Sequence, residues 1–279
     1  MDKIFINKSL PVLLICGMLL SSCYKKFDEK SYQPAFTVNG YTSVASIAPG
    51  NLVGYWAFNG SYIDSVSNTT GTSVGTSFAG GFKGQALKGA LNGYVLAPAS
   101  NAIKNMQSFT VTAWVNTPPP STGIIDFFTL VNTTHFWGNI EMFFENGSDN
   151  TNGKLRIHVY KNGNDNTYSI DGVPNLFNAW TNIGVTYDAG SSLFTLYVNG
   201  NKVNSATLTN VSGPLSFADV GNVVFGTTQF QTTPSQTSAT TSQPWASFMT
   251  GLIDEVRVYN KALAAGDLQA MIVLQGKGK

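Results

Sequence analysis

From Leu52 onward, short apolar stretches alternate with clusters of turn residues, and within the stretches the apolar positions repeat every second residue. In SFTVTAWVN, Phe109, Val111, Ala113 and Val115 share one face, with Thr110, Thr112 and Trp114 on the other. KLRIHVYKNGN groups Leu155, Ile157 and Val159 opposite His158, and LFTLYVNGNKV groups Phe194, Leu196 and Val198. A period of two marks strands with one buried face. Asn162-Gly163 and Asn199-Gly200 supply the two positive-φ residues of a type I′ hairpin. Helical spacing is confined to the tail AAGDLQAMIVLQ, with Leu268, Met271 and Ile272. Many short strands with one helix predict an all-β sandwich or barrel. Residues 227–245, rich in Thr, Ser and Gln, interrupt what should be a tight connection; a loop this long is functional or disordered.

The first residues follow another pattern. Lys3 and Lys8 precede SLPVLLICGMLL, an apolar run shorter than the roughly 20 residues of a membrane span. This predicts a cleaved signal peptide over residues 1–22. LSSC at residues 20–23 resembles the lipobox of bacterial lipoproteins, which implies lipidation of Cys23 and a membrane anchor through that lipid. Leu14 and Ile15 make Cys16 a poorer match. Residues 23–49 are weakly periodic and predict an acylated tether. Asp28 and Glu29 loosely resemble the surface-export signals of Bacteroidota lipoproteins.

Composition narrows the function classes. Removing Lys3, Lys8 and Asp2 with the leader leaves equal numbers of cationic and acidic residues. With no basic surplus, nucleic acid is excluded as the expected partner. Cys16 and Cys23 are the only cysteines, so cleavage and lipidation would leave no thiol for a disulfide, a zinc site or a nucleophile.

Five motifs then occur in order: LVGYWAFNGSYIDSVSN, GFKGQALKGALNGYVLAP, SFTVTAWVN, NAWTNIGVTYDAGSSLFTLYVNGNKV and GLIDEVRVYNKALAAGDLQAM. Together they resemble the laminin G-like, concanavalin A-like lectin/glucanase superfamily, in its bacterial pentraxin-related branch. The resemblance implies an antiparallel two-sheet jelly-roll over residues 50–273 with a short C-terminal helix, leaving 274–279 as a tail. It also implies a structural calcium site where the last strand meets the loop after the first, here Asn59, Asp64 and Asp254. Calcium takes six to eight oxygens, and Asn59 stands where relatives carry an acid. The competing reading is that Asn59 and Asp64 make side-chain turns. Strand alternation predicts Ile253 and Glu255 on one face, with Asp254 and Val256 on the other. Trp56, Trp114 and Trp180 are expected in the core. Relatives cap the tail helix with serine; Leu263-Ala264-Ala265-Gly266-Asp267 lacks it, which predicts a frayed or late-starting helix.

Glucanase relatives carry a Glu-x-Asp-x-Glu strand. EMFFE keeps Glu141 and Glu145 but has Phe143 between them, so the pair reads as two solvent-facing glutamates and no catalytic residue is assigned. Sugar binding needs aromatic faces flanked by amides and hydroxyls. Exposed candidates are His135, Phe136, Trp137, Asn139, Phe230 and Trp245, with Tyr94 and Tyr168 weaker. The resulting expectation is a non-catalytic lipoprotein of a Bacteroidota-like outer membrane, lipid-anchored at the cell surface and accessory to glycan uptake. Its partner would be a glycan or, alternatively, an envelope protein; a glycosidase is the lesser alternative.

Overall fold

The computed structural model describes residues 34–279; the leader and the Cys23 lipidation motif lie outside them. Thr37–Lys279 form one compact unit. In chain order the strands begin with β1 (Leu52–Trp56), β2 (Ile63–Asp64), β3 (Thr69–Thr70), β4 (Thr72–Val74), β5 (Ser77–Gly80), β6 (Gln85–Lys88) and β7 (Tyr94–Pro98). A one-turn helix, α1 (Asn101–Lys104), leads to β8 (Phe109–Asn116), β9 (Ile125–Asn132), β10 (Ile140–Phe144), β11 (Gly153–Lys161) and β12 (Asn164–Val173). Then come β13 (Thr181–Asp188), β14 (Leu193–Val198), β15 (Asn201–Ala206), β16 (Val220–Phe225), β17 (Leu252–Tyr259) and α2 (Ala265–Gly276).

Two antiparallel sheets face each other. The first runs β15-β14-β13-β8-β17-β6-β5, with β1 also on β17; the second runs β12-β11-β10-β9-β16-β7-β4. The core between them takes the predicted faces: Phe109, Val111, Ala113 and Val115 from β8, Leu155, Ile157 and Val159 from β11, Phe194 and Leu196 from β14. Asn162 and Asn199, with Gly163 and Gly200, adopt the positive φ expected of the hairpins. Trp56 lies in this core, but Trp114 points out of the sheet, stacked on Phe82 with ring centroids 3.6 Å apart. Trp180 is only half-buried beside them.

The outer face of the first sheet is covered by α2. Leu268, Met271 and Leu274 pack with Tyr197, Tyr259 and Leu263, and the Trp114 indole donates to Gln275 at 2.9 Å. The helix is neither frayed nor late. Asp267 accepts from the Ala264 amide at 3.3 Å and from the Tyr41 hydroxyl at 2.8 Å, and the Asn39 amide donates to the Gly266 carbonyl at 2.8 Å. Residues 37–49, expected as the end of the tether, are therefore part of the domain; Val44 and Ile47 are buried under α2. Among the described residues no helix is long and apolar enough to cross a membrane.

The last strand departs from simple alternation. Asp254 lies opposite Trp114 and Arg257 opposite Thr112, so Glu255 and Val256 together face one residue of β8. Glu255 has φ +52° and forms the bulge. Ile253 and Val256 both enter the core, while Asp254 and Glu255 both leave it on the outer side. At this point β17 exchanges β6 for β1 as its neighbour. The strained glutamate is held by Arg257 at 2.8 Å, the Tyr55 hydroxyl at 2.7 Å and the Gln275 amide at 3.3 Å. Burial alone would raise Glu255, but Arg257 and the Tyr55 hydrogen bond outweigh it and hold the carboxylate below its usual range.

Candidate functional site

The outer face of the second sheet carries most of the unusual side chains. On β10, β11 and β12 the residues pointing away from the core align in two cross-strand rows. One row is Glu141, His158 and Thr167; the other is Phe143, Arg156 and Ser169. The rows continue onto β9 at Thr129 and Asp126 respectively.

A strap formed by residues 226–250 crosses this face. Its Gln and Thr side chains act as brackets. The Gln229 side chain accepts from the Asn132 amide at 2.8 Å and donates to the His135 and Phe136 carbonyls at 2.8 and 3.0 Å. The Thr237 hydroxyl donates to the His135 carbonyl at 2.6 Å. The far end of the strap pairs with Ile124, which exchanges backbone bonds of 3.0 and 2.9 Å with Trp245 and Ser247. Gly123 permits that approach: a Cβ there would sit 2.5 Å from the Trp245 carbonyl oxygen.

Beside the strap lies an open cleft of about 330 Å³. Its floor is the half-buried Trp137 ring, which stacks on buried Phe143 at 6° and 5.6 Å between centroids and lies against His158 at 4.1 Å. Trp245, 42 % exposed, forms a wall inclined at 47° to Trp137. The opposite rim is polar, with Glu145, Arg156, Thr167 and Ser169. Arg156 binds Glu145 at 3.4 Å and Asp171 at 2.7 Å, and donates to the Leu155 and Ile170 carbonyls. Burial, aided by Arg156, pushes His158 down to about 4, so the imidazole is neutral at physiological pH. It exchanges a 3.3 Å hydrogen bond with Thr167. The cleft thus offers the Trp137 and Trp245 faces, an arginine already paired with two carboxylates, and neutral donors and acceptors.

Beneath the strap sit two buried acids. Asp126 accepts from the Phe128 amide at 2.8 Å and the Thr129 hydroxyl at 3.0 Å. Glu141 is fully buried, and neither carboxyl oxygen has a hydrogen-bond partner among the described residues. Burial raises Glu141 to about 8, although the nearby Gly138 and Gln229 amides pull the other way. Burial, then the charge of Glu141, raises Asp126 well above the carboxylate range. Glu141 is therefore not the solvent-facing residue that strand alternation suggests; the strap seals it. Glu145 alone of that pair reaches the cleft.

The sequence candidates divide accordingly. Trp137 and Trp245 line the cleft. Phe136 supports them, 5.3 Å from Trp137 and 6.1 Å from Trp245, and His135 accepts or donates a 2.7 Å bond with Tyr160. Phe230 and Asn139 are fully buried rather than at the rim. Phe230 packs under Phe136, Trp137 and Trp245, and Asn139 donates to the Val131 and Ala218 carbonyls. Tyr94 and Tyr168 are buried too. Sequence reasoning missed Phe143, Arg156, His158, Thr167 and Ser169; the signal was the outward alternate positions of three adjacent strands.

The residues named for calcium lie on the other side of the domain. Asp64 accepts from the Tyr55 and Val66 amides at 2.8 and 3.0 Å and the Ser67 hydroxyl at 2.5 Å, so both its oxygens are engaged. Asn59 and Asp254 each hold the loop before β6, through the Gln85 and Lys83 amides at 3.1 and 2.9 Å. The second Asp254 oxygen is buried with no hydrogen-bond partner among the described residues, and burial raises this carboxyl to about 7. Of the three, Asp254 has an oxygen free for a cation; among the described residues no three His, Cys, Asp or Glu groups converge.

A family model described as Laminin_G_3, concanavalin A-like lectin/glucanases superfamily, matches residues 87–269. The chain belongs to this superfamily. Solved structures agree on the jelly-roll. The binding domain of botulinum neurotoxin DC, solved with rat synaptotagmin II, superposes with TM-score 0.59 at 14% identity, over 82% of this chain and 52% of that one. The binding domain of Paraclostridial Mosquitocidal Protein 1 gives 0.58 at 16% identity, over 80% and 52%. The chain thus spans about half the length of these toxin domains. Domain 4 of an extracellular arabinanase from Geobacillus stearothermophilus, solved with arabinotriose, gives 0.55 at 20% identity, over 80% of this chain and 98% of that domain. No curated protein matches the chain. At these identities the likeness shows the fold of the superfamily, and the neighbours are mainly binding domains.

Proposed function

We propose that this domain is a non-catalytic recognition module that binds glycan in the cleft between Trp137, Phe143, Trp245 and Arg156. The half-buried face of Trp137, backed by its parallel stack on buried Phe143 and walled by exposed Trp245, carries the reading. A sugar ring presents a C–H face that stacks on such a surface, while its hydroxyls both donate and accept, matching Arg156, Glu145 and the Thr167 and Ser169 hydroxyls. The arabinotriose-bound arabinanase domain is a supporting precedent for this fold. Burial of Glu141 weighs against a glycosidase, because a retaining pair needs two substrate-reaching carboxyls about 5 Å apart. The LSSC motif supports a lipid anchor at Cys23 and display on the outer membrane, accessory to glycan uptake. Asp254 is the proposed anchor of a structural calcium ion.

Calorimetric titration of the full chain with a polysaccharide panel tests the reading. Saturable binding without product formation, abolished by Trp137→Ala, is expected. Binding that survives Trp137→Ala contradicts it, and binding to no glycan shifts the role to a protein partner.

A further inference from the structure

The cleft's charges bear on which glycans fit, an argument that rests on the glycan reading above. Among the described residues, Arg156 is the only cation lining the cleft. Its guanidinium already faces two carboxylates, Glu145 at 3.4 Å and Asp171 at 2.7 Å, and donates to two backbone carbonyls. The guanidinium therefore faces two negative groups, Glu145 on the rim and Asp171 beside it. The remaining polar side chains are Thr167, Ser169 and His158, and the imidazole is uncharged near neutral pH.

We infer that the cleft selects neutral sugars and rejects uronic, sialic and sulfated ones, and that Glu145 and Asp171 set this selectivity by neutralising Arg156. Among the described residues that line the cleft, a sugar carboxylate finds no unpaired cation. It would have to displace Glu145 or Asp171 from the guanidinium and remain beside the displaced carboxylate. Like charges a few ångströms apart at a half-exposed site cost enough for about a tenfold loss of affinity. A neutral hydroxyl meets no such penalty, since it accepts from Arg156 and donates to Glu145 without breaking the pair. Asp171 is 59% exposed, so the pair it makes is sensitive to salt and dispensable for folding.

A glycan array carrying neutral and anionic oligosaccharides, probed with the full chain, makes the test. It is followed by titration of matched pairs such as cellohexaose and its C6-oxidised uronate. The expected result is binding confined to neutral glycans, with at least a tenfold preference in any bound pair that shrinks as salt is raised. Asp171→Asn and Glu145→Gln should each reduce that ratio by freeing Arg156. Equal or tighter binding of the anionic member overturns the selectivity while leaving glycan binding intact. A ratio unmoved by either variant overturns the role of the two carboxylates. Binding to no glycan overturns the underlying reading, and the selectivity with it.

Discussion

Replacing Glu141 with glutamine should make this protein more stable at neutral pH, although it alters a fully buried side chain. The carboxyl has an ordinary value near 4.5 and is raised to about 8 in the fold, chiefly by burial. An acid raised on folding contributes its full stability below the unfolded value. That contribution is lost as pH climbs towards the folded value, because the unfolded chain releases the proton first. Each pH unit in this window costs about 1.4 kcal/mol, so keeping Glu141 protonated at pH 7 costs about 3 kcal/mol. Glutamine keeps the shape and carries no such cost. For a domain of this size 1 kcal/mol moves the melting temperature by about 2–4 °C. Glu141→Gln should therefore gain several degrees at pH 7 and almost nothing at pH 4, where the native glutamate is neutral in both states. Thermal melts of both proteins between pH 4 and pH 8 measure this. A difference that does not change with pH, or a loss at pH 7 as large as at pH 4, would refute the reasoning. Asp126, raised in the same way, should leave a residual slope in the variant.

Other outcomes follow from the same geometry. Phe230→Ala removes the fully buried ring beneath Phe136, Trp137 and Trp245 and should cost about 3–5 kcal/mol in chemical denaturation, with weaker glycan binding in the protein that remains folded. Gly123→Ala places a Cβ against the Trp245 carbonyl and should displace that wall, lowering affinity more than stability. Millimolar calcium should raise the melting temperature through the unpartnered Asp254 oxygen, and Asp254→Asn should abolish the rise; an identical melt with calcium and with chelator contradicts the site.

The sandwich was legible because each strand announces its own buried face. Phe109 through Val115, or Leu155 through Val159, need no knowledge of their neighbours, and the Asn-Gly hairpins are local. What depended on neighbours was not legible. The bulge at Glu255 arises where β17 changes partner from β6 to β1, an event outside the strand's own residues. Glu141 is buried by a strap that lies about ninety residues downstream, so alternation placed its face correctly but not its exposure. The cleft joins Phe143, Arg156 and Ser169 through register across three strands, which no single stretch displays. Trp137 and Trp245 were visible because aromatic residues in polar loops stand out. Phe230, in similar surroundings, turned inward to support them. Residues 37–49 escaped notice because Val44 and Ile47 follow no period, yet their burial under α2 extends the domain.

Ligand is expected on the open face of Trp137, beside Trp245. Five tryptophans give five indole N–H resonances: Trp56, Trp114, Trp137, Trp180 and Trp245. Nuclear magnetic resonance titration with the tightest-binding neutral oligosaccharide reads all five at once. The account predicts saturable shifts at Trp137 and Trp245 and none at Trp56, Trp114 or Trp180. Shifts centred on Trp114 and Trp180, on the other sheet, would contradict it.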